Sequence, residues 1–422
     1  MTYNKPSESV TDAVDLGSID SAGSRHAGQR SAVALADDVI VAGRADGDCL
    51  GVDPSTLAER WRACCAREST SVVSAAPFAG GVLVGERSPC GAVRLHDADT
   101  GAVRWRHDTS ETVGAPTRDT RFFLPYVADI VVGGDYAYVA ARRYERAGDA
   151  GGERAFESVV LALAPDGRVA WRYRTDASPI ALATDADRVA VAYNRCPGDH
   201  DAGLVVLDAA TGAERQCWNP PTTDALERSG DRRVGDVSFL SDGLAVTSHA
   251  DFRGYRLDRG GDVRWRVDLA TPTVVGDETR YAYPNHVHAT PAGVVFVTGN
   301  TYAVEGRETE GTHDRATAAF GYAADGDQRW SASLGGFATG LVATADRVAI
   351  PVAQGFRTRD PEVHGVRIAD VAAGDIRHVA TDGITTAVAA ADGRVAAIEE
   401  PVRYHDNGER RGAYRLHVTT TN

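Results

Sequence analysis

The sequence predicts an all-β chain folded as a β-propeller. It should have eight blades of four antiparallel strands, closed into a ring by a strand from the N-terminus. Three observations carry this. A phrase recurs almost unchanged, DADTGAVRWR at 97–106 and DAATGAERQCW at 208–218. Six tryptophans, Trp61, Trp105, Trp171, Trp218, Trp265 and Trp330, follow one another at intervals of 44, 66, 47, 47 and 65 residues. Short apolar stretches with a period of two lie between them, and helical periodicity is almost absent. A repeat of about 45 residues with about four short strands describes a propeller blade. The physical reason is burial. One four-stranded sheet cannot cover both of its faces, but a sheet packed radially between two neighbours can.

In chain order, each copy is an apolar stretch, a second one, a turn and a Trp. The copies end VDPSTLAERW at Trp61, LHDADTGAVRW at Trp105 and LAPDGRVAW at Trp171. They continue with LDAATGAERQCW at Trp218, LDRGGDVRW at Trp265 and YAADGDQRW at Trp330. Two later copies, HGVRIADVAAGDIRHV and GAYRLHV, lack the Trp. Second strands start near Val39, Val82, Ala137, Val189, Leu244, Val294, Val348 and Val395. The last copy runs out near Val418, after its third strand. AVDLGSID, residues 13–20, resembles the outer strand of an earlier copy and is assigned the missing place. Seven blades with irregularly packed termini is the alternative. The whole of 1–422 is read as one domain, with 1–12 as a flexible tail.

The turn explains the repeated phrase. The Asp can accept backbone N–H groups in an Asx-turn, and Gly takes up positive φ. The following strand places its Trp between blades, where burial contributes roughly 2–3 kcal/mol. The six Trp are therefore assigned to the interblade core.

With VVLDAATGAERQCW and RLHDADTGAVRW in view, the units resemble PQQ-like repeats. That propeller family includes quinoprotein dehydrogenases and the bacterial outer-membrane-assembly lipoprotein. Its ALD-x-x-TG-x-x-x-W pattern is met closely by these two copies and loosely by the others. The resemblance covers nearly the whole chain and implies the fold rather than the function. The family's enzymes carry a vicinal disulfide beside their cofactor, and Cys64-Cys65 invites the comparison. Here the pair follows Trp61 on an outer strand, so ordinary thiols are expected, PQQ is not, and no cofactor is assigned.

Composition narrows the surroundings. The net charge is −14, Asp outnumbers Glu by 41 to 18, and Lys5 is the only lysine. This balance resembles proteins of extreme halophiles, whose carboxylates hold water and cations while salt screens their repulsion. It argues against nucleic acid or an anionic membrane as partner. No apolar run is long enough to cross a membrane as a helix. The N-terminus lacks a basic and an apolar region of the secretory kind, so a cytoplasmic location is expected; a monomer is expected as well. Six cysteines without a CxxC pair give no zinc signature.

The loops divide by face. Turns at 36–38, 79–81, 241–243, 291–293 and 391–393 are tight. The segments 143–157, 195–202, 303–317, 355–364 and 403–412, with connectors 107–127, 219–235 and 269–285, all belong to the opposite face. That face is the expected binding face. Arg142, Arg143, Tyr144, Arg403, Tyr404 and His405 are its partner-binding candidates, since Arg and Tyr anchor interfaces.

Aligning the second strands puts Ser31, Ser74, Asp129, Ala181, Asp236, His286, Gly340 and Ala387 at one position around the axis. Asp129, Asp236, His286 and His288 are a candidate divalent-metal set. The alternative is a solvated polar channel. A second polar ring is read at the second-strand ends: Arg44, Arg87, Arg142, Asn194, His249 and Glu400, with Asn300 and Gln354 one step on. No GxSxG, HExxH, P-loop or GxGxxG motif is present. The expected function is a non-catalytic scaffold that binds a protein or peptide through its loop-rich face. The alternatives are a metal-dependent hydrolase or lyase at the channel mouth, or a small-molecule or sugar sensor.

Overall fold

The computed structural model describes residues 12–23, 30–64, 70–146, 152–221, 231–306, 309, 311–357 and 359–421. Nearly every element among them is a strand, and most strands fall into antiparallel units of four, two of which are joined by a pairing of Tyr126 with Arg87. The first contains Ala32–Leu35, Ile40–Gly43, Cys49–Val52 and Glu59–Ala63, each paired with the next. The same order repeats over 71–108, 126–175, 178–218, 234–268, 278–333 and 336–380. The last sheet joins Ile384–Ala391, Arg394–Glu400 and Arg415–Thr420 to the N-terminal strand Asp12–Asp15. The inner strands of neighbouring sheets pack on one another, except that Gly336–Ala338 is met by the second strand Gly293–Ala303, and the inner strand of the last sheet packs on Ala32–Leu35.

The closing strand is shorter than the sequence predicts, Asp12–Asp15 rather than 13–20. It pairs from Asp12 with Val418 to Asp15 with Arg415. Leu16 is then fully buried among Leu50, Ile398 and Tyr414, and its N–H donates to the Tyr414 carbonyl at 2.9 Å. Gly17, at φ +90°, turns the chain away. Of the predicted tail, 1–11 lies outside the described residues.

The period-two expectation needs correction. Second strands such as Ile40–Gly43 are buried at every position, because a neighbouring sheet covers each face. They are continuous apolar runs of the kind found in sheets covered on both sides. Outer strands such as Val103–Asp108 alternate between exposed and half-buried.

The recurring Gly and Trp belong together. In five units the indole N–H donates to a carbonyl of the following unit. Trp61 reaches Ala98, Trp105 Pro165, Trp171 Ala209, Trp265 Ala324 and Trp330 Val371, at 2.8–3.0 Å. The ring lies on the turn glycine of that unit. A Cβ on Gly101 would stand 2.4 Å from Trp61, and one on Gly374 would stand 2.3 Å from Trp330. Glycine is required twice over, for the positive φ of +71° at Gly101 and for the ring's seat. Trp218 departs from this. It sits six residues after its glycine instead of four, and Gln216 occupies the seat against Gly261. Trp218 instead meets Tyr255 of the next sheet edge-on, with centroids 5.1 Å apart.

The Asx-turn reading is realised by the Asp of each phrase. Asp97 Oδ1 accepts the N–H and hydroxyl of Thr100, and its Oδ2 accepts from Arg104. Asp208 does the same with Thr211 and Arg215. These bonds hold both carboxyls down at about 2.

The segment 143–157 is not a loose insert. Strands Tyr136–Arg146 and Arg154–Leu163 continue their pairing out to Arg146 opposite Arg154, so this excursion is a long hairpin. Val402–Arg403 and Arg410–Arg411 form a second, smaller hairpin, joined in parallel by Ala22–Gly23.

Candidate functional site

A register shift recurs in six inner strands, at the same step. It falls between Val72 and Ser74, Val127 and Asp129, Pro179 and Ala181, Val234 and Asp236, Pro284 and His286, and Thr385 and Ala387. A bulge re-aims the next side chain. In each case that residue belongs to the axial set aligned from the sequence. All eight aligned positions, from Ser31 to Ala387, line one central cavity of about 620 Å³.

The two carboxylates of this ring serve as clasps. Asp129 accepts the N–H of Ile130 and, across the gap, that of Leu182 on the next inner strand, both at 2.8 Å. Asp236 accepts from Val237 at 2.8 Å and from Val287 of the next sheet at 2.9 Å. Thr339 donates to the Thr385 carbonyl one sheet further on, at 2.9 Å. Glu400, fully buried, closes the last gap: it accepts from Ser31, Thr386 and Arg30. Burial pushes Asp129 up to about 6 and Asp236 up to about 7, against the pull of their backbone bonds. Burial also pushes His286 and His288 down to about 4, so both rings are neutral near pH 7.

The expected metal set is therefore not assembled. His286 Nδ1 stands 3.8 Å from Asp236 Oδ2, but the oxygens of both aspartates are taken by backbone N–H groups. His288 does not line the cavity. Among the described residues, no three His, Cys, Asp or Glu side chains gather as metal ligands do. Cys64 is exposed, and Cys65 lies outside the described residues.

The partner-binding candidates divide. Arg142 lies over the rings of Tyr126 and Phe156, at 5.1 and 5.6 Å. Arg143 donates to the Val113 carbonyl at 2.6 Å and pairs with Glu145. Tyr144 is wedged between Phe123 and Phe156. Tyr404 is buried, with its hydroxyl 3.1 Å from His364 Nε2. These four hold the loops down. Arg403 and His405 are exposed.

The cavity also takes Tyr283 and four residues that the motif reading passed over, Arg232, Asn285, Tyr302 and Phe337, beside Asn194, His249 and Asn300 of the second ring. Arg232 and Asn285 belong to no repeated position. Tyr302 arrives because its strand, Gly293–Ala303, outruns the second strands of most other sheets. Only that strand's length could have pointed to it.

A circle of four-stranded sheets around a polar axis, fastened by a Trp on a glycine turn, defines a β-propeller, and the chain is one. Residues 45–251 match the family model described as Outer membrane protein assembly factor BamB. BamB from Moraxella catarrhalis is similar over 98% of this chain and 97% of its own, with TM-score 0.56 and 16% identity. Quinohemoprotein alcohol dehydrogenase from Comamonas testosteroni is similar over 93% of this chain and 75% of its own, with TM-score 0.61 and 14% identity. The computationally designed protein Ika8 is similar over 92% of this chain and 97% of its own, with TM-score 0.53 and 12% identity. At these identities the likeness concerns the fold. No curated protein matches the sequence significantly.

Proposed function

We propose that the protein is a non-catalytic scaffold that binds a protein or peptide through its loop-rich face. One observation carries the reading: elaboration and exposed apolar side chains share that face. It holds the long hairpin to Arg146, the hairpin at 402–411, the ribbon strand Thr273–Val275 and the short helix Ser110–Val113. It exposes Phe122 by 77% and Val274 by 73%, within two of its connectors. Exposed apolar groups on a stiff scaffold favour a docking role. The matched family description, an assembly factor, supports a protein partner in general. The backbone N–H groups bonded by the acidic groups at the axis support a structural role for Asp129 and Asp236.

The test is affinity purification at high salt with the intact chain and with a variant carrying Phe122→Ser and Val274→Ser. A stoichiometric partner held by the intact chain and lost by the variant is the expected result. A partner held equally by both, with melting curves unchanged, would remove this face from the proposal.

A further inference from the structure

The mouth of the central cavity gathers donors in a chain that is otherwise strongly acidic. Asn300 is 5% exposed and lines the cavity. Its Oδ1 accepts the N–H of Phe356 at 3.2 Å, which fixes the amide's orientation. Its Nδ2, a donor, is then buried without a hydrogen bond. A buried unsatisfied donor is costly and calls for an explanation. His249 stands on the same lining, 4% exposed, with its ring 4.9 Å from that of Tyr283. The Pro284 carbonyl lies near, but neither ring nitrogen closes a hydrogen bond of normal geometry. Arg232 completes the group, with its guanidinium 4.3 Å over the Tyr283 ring.

Further arginines extend from this group: Arg195 acts on His249, and Arg142 feels both Arg195 and Arg87. Arg87 and Arg142 share the Tyr126 ring, at 4.1 and 5.1 Å. Arg195 pairs with Asp231 at 2.6 Å, and Arg30 with Glu400 at 2.9 Å. The cations feel one another. Burial, then the charges of Arg87 and Arg195, bring Arg142 down to about 10 despite help from Tyr126. Burial with Arg87 and Arg30 does the same to Arg121. His249 is pushed well below its ordinary value, first by burial, then by Arg232, Arg195 and His286. The nearest axial carboxylate, Asp236, has both oxygens engaged by backbone N–H groups. Cationic side chains thus gather near the axis in a protein of net charge −14.

We propose that the cavity mouth is an anion-binding site. It takes a small carboxylate- or phosphate-bearing molecule whose oxygens meet Asn300 Nδ2 and Arg232, with His249 offering a neutral N–H beside them. Charge-assisted bonds from a guanidinium and an amide suit either group. A cavity of about 620 Å³ is of the size that holds one small molecule. The site is separate from the apolar patches of the docking face and does not depend on a protein partner.

The test is calorimetric titration of the full chain with inorganic phosphate and, separately, with citrate, at constant ionic strength. Two variants accompany it. Asn300→Asp keeps the acceptor for Phe356 but replaces the free donor with a charge that repels anions. Arg232→Gln removes the cation and keeps a donor. At least one of the two anions is expected to bind with one-to-one stoichiometry, and each variant should weaken it by about tenfold or more. Phosphate alone or citrate alone would tell the two ligand classes apart. Failure of both anions to bind the intact chain, or equal binding by a folded Asn300→Asp chain, would overturn the proposal.

Discussion

At the scale of single residues, the axis is held by carboxylates placed where carboxylates are costly. Asp236 bridges two sheets through the N–H groups of Val237 and Val287, yet burial pushes its carboxyl up to about 7 from an ordinary 3.8. A raised acid contributes stability fully below its unfolded value, and that contribution is lost as pH rises through the folded value. Asp236→Asn keeps one acceptor and removes the titration. The variant loses a bond at every pH. Its deficit relative to the parent should therefore shrink from pH 5, at a rate approaching about 1.4 kcal/mol per pH unit between the unfolded and folded values, and level off above about pH 7. Melting temperatures of both chains across that range check this, and a constant difference would refute the clasp's titration. The axial position of Asp236 was legible because the second strands align rigidly and carry the inner strands with them. Its clasp was not, because a free carboxylate pair and a backbone-bonded one read alike in sequence. The slip of Trp218 was legible in its six-residue spacing from Gly212, which a count of tryptophans passes over.

At the scale of elements, the circle is fastened by four residues of strand and one leucine. Asp12–Asp15 pairs with Arg415–Thr420, and Leu16 plugs the joint between the first and last sheets. Arg44 of the first sheet donates to the Leu16 carbonyl, so side chain and backbone both tie the ends together. Leu16→Ala should cost about 2–5 kcal/mol, the range for a fully buried Leu truncated to Ala. It should also speed amide exchange in 415–420 before the rest of the molecule. Denaturant unfolding with exchange measurements tests both, and a loss under about 1 kcal/mol would show that the joint is not where the ring is held. The need for a closing strand was legible, because the last copy lacks its outer strand. Its end was not, because Leu16 and Ile19 continue the apolar pattern while Gly17 turns the chain. The hairpin at 136–163 escaped for a related reason. Arg142–Arg146 and Arg154–Glu157 are polar enough to read as loop, but their strands pair beyond the neighbouring sheets, where water reaches them.

At the scale of the whole molecule, two electrostatic effects oppose each other. The net charge of −14 makes the compact state repel itself, and salt relieves that repulsion. Against this, the turns carry Arg–Asp pairs that salt weakens: Arg60 with Asp53, Arg104 with Asp97, Arg215 with Asp208. Such exposed pairs are worth about 0–1 kcal/mol each, and they act only locally. The repulsion sums over the whole surface and has almost no lysine to offset it. Repulsion should therefore win, and the melting temperature should rise as KCl increases from about 0.1 M toward 2 M. Because the screening length is about 10 Å at 0.1 M and 3 Å at 1 M, most of the rise should be complete by about 1 M. A rise that continued undiminished beyond that point would belong to cation and water binding by the carboxylates, or to salting-out of apolar surface. A fall in melting temperature with salt would mean that the turn pairs outweigh the net charge.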